Sequence, residues 1–134
     1  MISELEIVVA DDEAEMRDYY RAILAHLGHT VVGAARNGRE LVEICIALKP
    51  DLVITDIMMP EMDGIEAIQE ITRIAPVPVI VVTAHNDPDT IDRATKSRIL
   101  GYLVKPIQKG DVQPAIALAM CRFAELRPVW ESDL

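Results

Sequence analysis

The stretch Asp51-Leu52-Val53-Ile54-Thr55-Asp56-Ile57-Met58-Met59-Pro60 sets the frame for the whole chain. Its first half is a continuous apolar run, with no polar residue between Leu52 and Ile54. A strand that alternates apolar and polar residues shows one face to water, whereas a continuous run rich in Val and Ile marks a strand buried on both faces of a parallel sheet. The run ends on a carboxylate, Asp56, followed by a short loop closed by Pro60. A charge placed where such a strand leaves the core lies on the rim where open α/β sheets bind their ligands.

Four more short apolar runs flank this one. The five together cover residues 5–10, 30–34, 52–55, 77–82 and 102–104. Segments of helical period lie between them. Met16, Tyr19, Tyr20, Ile23, Leu24 and Leu27 form one apolar stripe, and Gly28 follows as a helix stop. Leu41, Ile44, Cys45 and Leu48 repeat the pattern before Pro50, and Ile65, Ile68, Ile71 and Ile74 repeat it before Pro76. Val112, Ala115, Ile116, Ala119, Met120 and Phe123 mark the last helix, expected to end near Arg127. The fourth helix, over 88–97, is different: Ile91 and Ala94 are nearly its only apolar residues, which predicts a weakly anchored element. Strand and helix thus alternate five times, the pattern of a parallel sheet with right-handed crossovers and helices on both faces.

Length and composition fit this reading. The chain has 134 residues, enough for one domain with a full core, expected over 1–127 with a short tail over 128–134. The formal charge of −9 argues against direct nucleic-acid binding, which calls for a basic face. No apolar run approaches the roughly 20 residues of a membrane span. The first residues carry neither a basic region nor an apolar signal core, so a cytoplasmic location is expected. Cys45 and Cys121 sit in helical apolar patterns without a CxxC or a Cys/His cluster, and both read as small buried hydrophobes.

The carboxyl ends of the five runs collect the chemistry. The first delivers Asp11, Asp12 and Glu13; the third, Asp56; the fourth, Thr83; the fifth, Lys105-Pro106. A single loop Asp is most often a helix cap, and Asp11 or Asp12 could cap the first helix in that way. Capping does not explain why all of these residues fall at strand ends. Unit charges 4 Å apart interact by roughly 4 kcal/mol at an effective dielectric of about 20, so clustered Asp11, Asp12 and Asp56 need counter-charge. Lys105 is one source and a hard divalent cation such as Mg²⁺ is another. A carboxylate beside a cation and an amine is suited to attack phosphorus and form an aspartyl phosphate.

Along nearly its whole length the chain resembles response-regulator receiver domains, the phospho-accepting switches of two-component systems. The matching segments are Val8-Val9-Ala10-Asp11-Asp12-Glu13, the stretch from Asp51 to Pro60, Met62-Asp63-Gly64, Val82-Thr83-Ala84 and Gly101-Tyr102-Leu103-Val104-Lys105-Pro106. The resemblance implies a flavodoxin-like doubly wound α/β fold, (βα)5, with strand order 2-1-3-4-5. It implies that Asp56 accepts a phosphoryl group from a histidine kinase or phosphotransfer protein. Asp12, Asp56 and the Met58 carbonyl would ligate Mg²⁺ directly, with Asp11 acting through water, while Thr83 and Lys105 contact the phosphate. Thr83 and Tyr102 would form the switch pair, and Lys105-Pro106 would be a cis peptide. Output would pass to a downstream protein partner, an output domain or a homodimer.

Two positions depart from the family pattern. Arg98 stands where many members have Gly, so either Arg98 takes a left-handed conformation or the fourth helix ends differently. Met58, two residues past Asp56, offers nothing to orient a hydrolytic water; slow loss of the phosphoryl group is expected, with His85 close enough in sequence to modify it. The last helix also resembles receivers that precede an RNA-binding ANTAR output domain, which makes a longer regulator the alternative reading. Two other classes fit less well. Haloacid-dehalogenase-type hydrolases place a second Asp where Met58 stands, and a flavodoxin needs a phosphate loop where Asp11, Asp12 and Glu13 would repel the cofactor.

Overall fold

The computed structural model describes residues 3–84 and 88–133. The element order is β1 (Glu6–Ala10), α1 (Ala14–His26), β2 (Thr30–Ala35), α2 (Gly38–Leu48), β3 (Leu52–Asp56), α3 (Gly64–Ile74), β4 (Val79–Thr83), α4 (Pro88–Thr95), β5 (Gly101–Val104) and α5 (Lys109–Glu131). The strands form one sheet in the order β2-β1-β3-β4-β5, and every pairing is parallel. This is the expected doubly wound fold, with β3 at its centre between β1 and β4.

The continuous apolar runs are explained by burial on two faces. Val8, Val53, Val79 and Val81 point into one cluster, with Leu41, Ile65 and Ile68 from α2 and α3. Ile7, Val9, Ile54, Ile80 and Val82 point into the other, with Leu24 from α1 and Ile116 from α5. Adjacent residues of one strand therefore serve opposite cores, as the two-residue period of a strand requires. The strand at 77–82 begins later than its run does, at Val79. Pro78 has no N–H to give to a ladder, and its carbonyl instead accepts from Val53 N–H.

Local chemistry sets the helix ends. Asn37 caps α2 by accepting the Glu40 N–H. Asp63 and Glu66 form a reciprocal capping box on α3. Gly28, at φ +91, takes the chain out of α1. The fourth helix is as poorly anchored as its sequence suggests: Ala94 is its one buried residue and Ile91 is exposed. It stops at Thr95, and the chain turns through residues 96–98. Among the described residues, the non-glycine positions with positive φ are Lys49 and Glu61. Arg98 thus avoids the left-handed region, and the helix ends differently.

Two expectations are corrected. Cys45 is buried, but Cys121 is exposed, because it lies on the outer side of α5 while Ile116, Ala119 and Phe123 take the inner side. The last helix also runs past Arg127 and through Pro128 to Glu131. Packing carries it across the proline: the Trp130 ring lies 5.9 Å from Phe123, and the Arg98 guanidinium stacks on Trp130 at 5.1 Å. Arg98 also pairs with Asp133.

Close approach dictates the glycine at position 64. A Cβ on Gly64 would lie 2.1 Å from the Asp56 carbonyl oxygen, and the Gly64 N–H donates to Ile57 O at 2.8 Å. The first turn of α3 therefore rests directly on the backbone of the phosphoacceptor candidate. Gly64→Ala should destabilise the fold by roughly 2–4 kcal/mol in urea titration. Gly110→Ala, with nothing within 4 Å of the added carbon, should be neutral or stabilise by up to about 1 kcal/mol.

Candidate functional site

Strand register gathers the site. Ala10 pairs with Thr55, so the next residues, Asp11 and Asp56, emerge side by side from β1 and β3. Asp56 pairs with Val82, and Thr83 pairs with Val104, which places Lys105 one step beyond β5 on the same rim. Asp11, Asp56 and Thr83 are buried, and Asp12 is exposed. Carboxylate oxygens of Asp11, Asp12 and Asp56 all lie within 4.8 Å of one another.

Lys105 bridges this group. Its Nζ donates to Asp11 Oδ2 at 3.0 Å and to Asp56 Oδ2 at 3.1 Å. The Lys105-Pro106 peptide is cis, and the Lys105 N–H donates to Thr83 O. Asp11 does not act as a helix cap. Glu13 occupies the N-cap of α1 and makes no side-chain cap bond, whereas Asp11 Oδ1 accepts the Glu13 N–H at 3.0 Å. Arg17 Nη1 donates to the Asp11 carbonyl at 2.8 Å, tying the strand end to α1. The β3–α3 loop is held at the Met62 carbonyl, which accepts the Gly38 N–H at 2.9 Å. Met58 in that loop has an exposed side chain. Tyr102 is partly buried on β5 and packs against the cluster that holds Val81 and Ala94. His85 lies outside the described residues.

The charges do not balance. One ammonium serves two buried carboxylates, with a third carboxylate alongside. Burial and the neighbouring Asp11 charge hold the Asp56 carboxyl above its ordinary value, and the pull of Lys105 does not fully offset them. Burial lowers the Lys105 ammonium, but the hydrogen bond to Asp11 and the charges of Asp56 and Asp11 outweigh it, so Lys105 lies above its ordinary value. Burial dominates the Asp56 shift, while the surrounding carboxylates account for the Lys105 shift. The donors offered are hard oxygens, with neither sulfur nor imidazole among these residues. Such a set fits a small divalent cation of the Mg²⁺ type.

Sequence reasoning assigned Tyr20 only to the apolar stripe of α1. The structure places its hydroxyl 3.4 Å from Asp11 Oδ2, inside the site. Burial first, then the Asp11 and Asp56 charges, push the phenol far above its ordinary value, so it remains a donor. The available signal was chemical: a tyrosine in a core stripe carries a hydroxyl that must find a partner when buried.

The profile of the response regulator receiver domain matches residues 7–117. The chain belongs to this family. The transcriptional regulatory protein PdtaR of Mycobacterium tuberculosis is 42% identical over 120 residues, which is 90% of this receiver and 58% of PdtaR. The receiver thus spans a little over half the length of that relative. The chemotaxis protein CheY of Thermotoga maritima is 41% identical over 111 residues, covering 82% of this chain and 92% of CheY. Among solved structures, the response regulator domain of Thermotoga maritima CheB superposes with a TM-score of 0.71 at 30% identity, over 96% of this receiver and 97% of that chain. Among the described residues, no helix is long and apolar enough to cross a membrane.

The raised Asp56 value has a measurable consequence. Folding favours the protonated form, so without divalent cation stability is lost as pH rises through the folded-state value, above the ordinary aspartate range. The Lys105 contribution is retained throughout the neutral range and is lost only above the ordinary lysine value. Asp56→Asn should therefore stabilise the cation-free protein at pH 7, seen as a higher urea midpoint than the parent's. The gain should vanish below about pH 4. Urea titrations across this range, in chelator, check both statements.

Proposed function

We propose that this receiver is a phosphorylation switch whose acceptor is Asp56. The observation that carries the reading is the Asp56 carboxylate at the end of β3, bonded to Lys105 and set among the oxygens of Asp11 and Asp12. The donor is a phosphohistidine on a histidine kinase or phosphotransfer protein. An Asp56 carboxylate oxygen attacks phosphorus and forms an acyl phosphate as the P–N bond breaks; the imidazole leaves and takes up a proton. Asp11, Asp12, Asp56 and the Met58 carbonyl are the groups that would hold Mg²⁺. When bound, the cation supplies the positive charge that neutralises phosphoryl oxygens. Lys105 adds a second positive charge, and Thr83 offers a hydroxyl from the next strand end.

The output follows from the same residues. A phosphoryl group adds acceptor oxygens at Asp56. Drawing Thr83 toward them makes room into which Tyr102 rotates, and the weakly anchored α4 follows. Moving such a switch from 1:99 to 99:1 takes about 5.5 kcal/mol. Two charge-assisted hydrogen bonds at roughly 1.5–3 kcal/mol each approach that figure. A downstream partner, an output domain or a second copy of the chain that prefers the switched face supplies the remainder. The reading places the domain in the cytoplasm with its kinase. A longer regulator, for example one with an RNA-binding ANTAR output, is the second reading. It is favoured by the match to only 58% of PdtaR.

With acetyl phosphate and Mg²⁺, intact-mass analysis should show the gain of one phosphoryl group, lost in Asp56→Asn and in chelator. Undiminished labelling of Asp56→Asn would refute the assignment. Thr83→Ala should still be phosphorylated but should lose the phosphorylation-dependent change in self- or partner association. With exposed Met58 beside the acceptor, decay of the label should take minutes rather than seconds.

A further inference from the structure

We infer that Tyr20 is a positioning residue of this site: its hydroxyl keeps Asp11 in place when Lys105 leaves Asp11 for the phosphoryl group. The inference rests on the phosphorylation reading above and assigns a residue that reading does not use. Asp11 is fully buried, and its Oδ2 accepts from both Lys105 and Tyr20. The same ammonium also serves Asp56. Phosphoryl oxygens on Asp56 compete for that ammonium, and whatever they gain Asp11 loses. A buried carboxylate oxygen that loses the ammonium must find another donor or swing away. The Glu13 N–H serves Oδ1, and Tyr20 is the donor already in contact with Oδ2, the oxygen that Lys105 leaves.

The local structure suits this role. The apolar stripe of α1 needs a large ring at position 20 but no hydroxyl there, since phenylalanine would fill the same space. The ring is 3% exposed and lies 6.4 Å from that of Tyr19, whose own hydroxyl donates to Ile107 O at 3.2 Å. Tyr20 is therefore fixed by packing, with its donor aimed at Asp11. At 3.4 Å the bond is long. It can shorten when Lys105 withdraws and the carboxylate has one donor fewer.

The test is Tyr20→Phe, titrated with Mg²⁺ alone and with beryllofluoride at saturating Mg²⁺, read by thermal melting. Beryllofluoride stands in for the phosphoryl group. In Mg²⁺ alone Lys105 still holds Asp11, so the Mg²⁺ midpoint should stay within about twofold of the parent, while the beryllofluoride midpoint should rise about tenfold. Equal shifts in both titrations would assign Tyr20 to packing alone and overturn the inference, as would no shift in either. If the parent itself gains no stability from beryllofluoride, the phosphorylation reading fails, and this inference fails with it. If the variant does not fold, the parent still decides. The Tyr20 hydroxyl proton should exchange slowly in NMR spectra and move downfield when beryllofluoride is added. An unmoved or rapidly exchanging proton would refute the role.

Discussion

The shortage of positive charge at the carboxyl rim is the constraint around which this receiver is organised. Lys105 divides one ammonium between Asp11 and Asp56, and Asp12 stands beside them. Folding tolerates this because the strands are held independently of the rim. Ile7, Val8, Val9, Val53, Val79, Ile80, Val81 and Val82 have essentially no exposure, so the two apolar layers fix the strand ends whatever the charges there prefer. On the proposed function, the same arrangement would make the site responsive. A cation or a phosphoryl group would add interactions there, and the ammonium, shared between two carboxylates, is the group that would be redistributed.

The backbone near the acceptor is built to the same purpose. The capping box of α3, the Gly64 contact with the Asp56 carbonyl and the Gly38–Met62 bond fix the β3–α3 loop from both sides. Arg93 of α4 reaches Asp63 at 2.7 Å, but on the surface, where such a pair contributes little. Rigid support thus lies under Asp56, and weak support lies under α4. That division matches the proposed switch, in which the rim holds its geometry and the helix beside it shifts.

Much of this was legible in the sequence, for identifiable reasons. The central strands announce themselves because burial on both faces demands unbroken Val and Ile. The site residues announce themselves because each sits where an apolar run ends. The misreadings share a different cause, since they depend on what lies across from a residue rather than on its own pattern. Pro78 shortens β4 because it has no N–H to give to the ladder, although its carbonyl still accepts from Val53. Cys121 belongs to an apolar period yet falls on its outer edge. Pro128 looks like a helix stop, yet the packing of Phe123, Trp130 and Arg98 spans it. Tyr20 was hidden because its ring satisfies the helical stripe, while its hydroxyl answers to a carboxylate on another element.

The grip of Arg98 on the end of α5 joins two parts of the chain that sequence separates widely. Arg98 lies in the turn just before β5, on the rim opposite Asp56, and is clasped by the Trp130 ring and the Asp133 carboxylate. Val104 ends the same short strand at its other side, and Lys105 follows it. The strand is therefore tethered at one end to the charged rim and at the other to the last turn of the longest helix. It behaves as a short connecting rod: a shift of its leading turn either drags the helix terminus along or breaks the stacking and the ion pair.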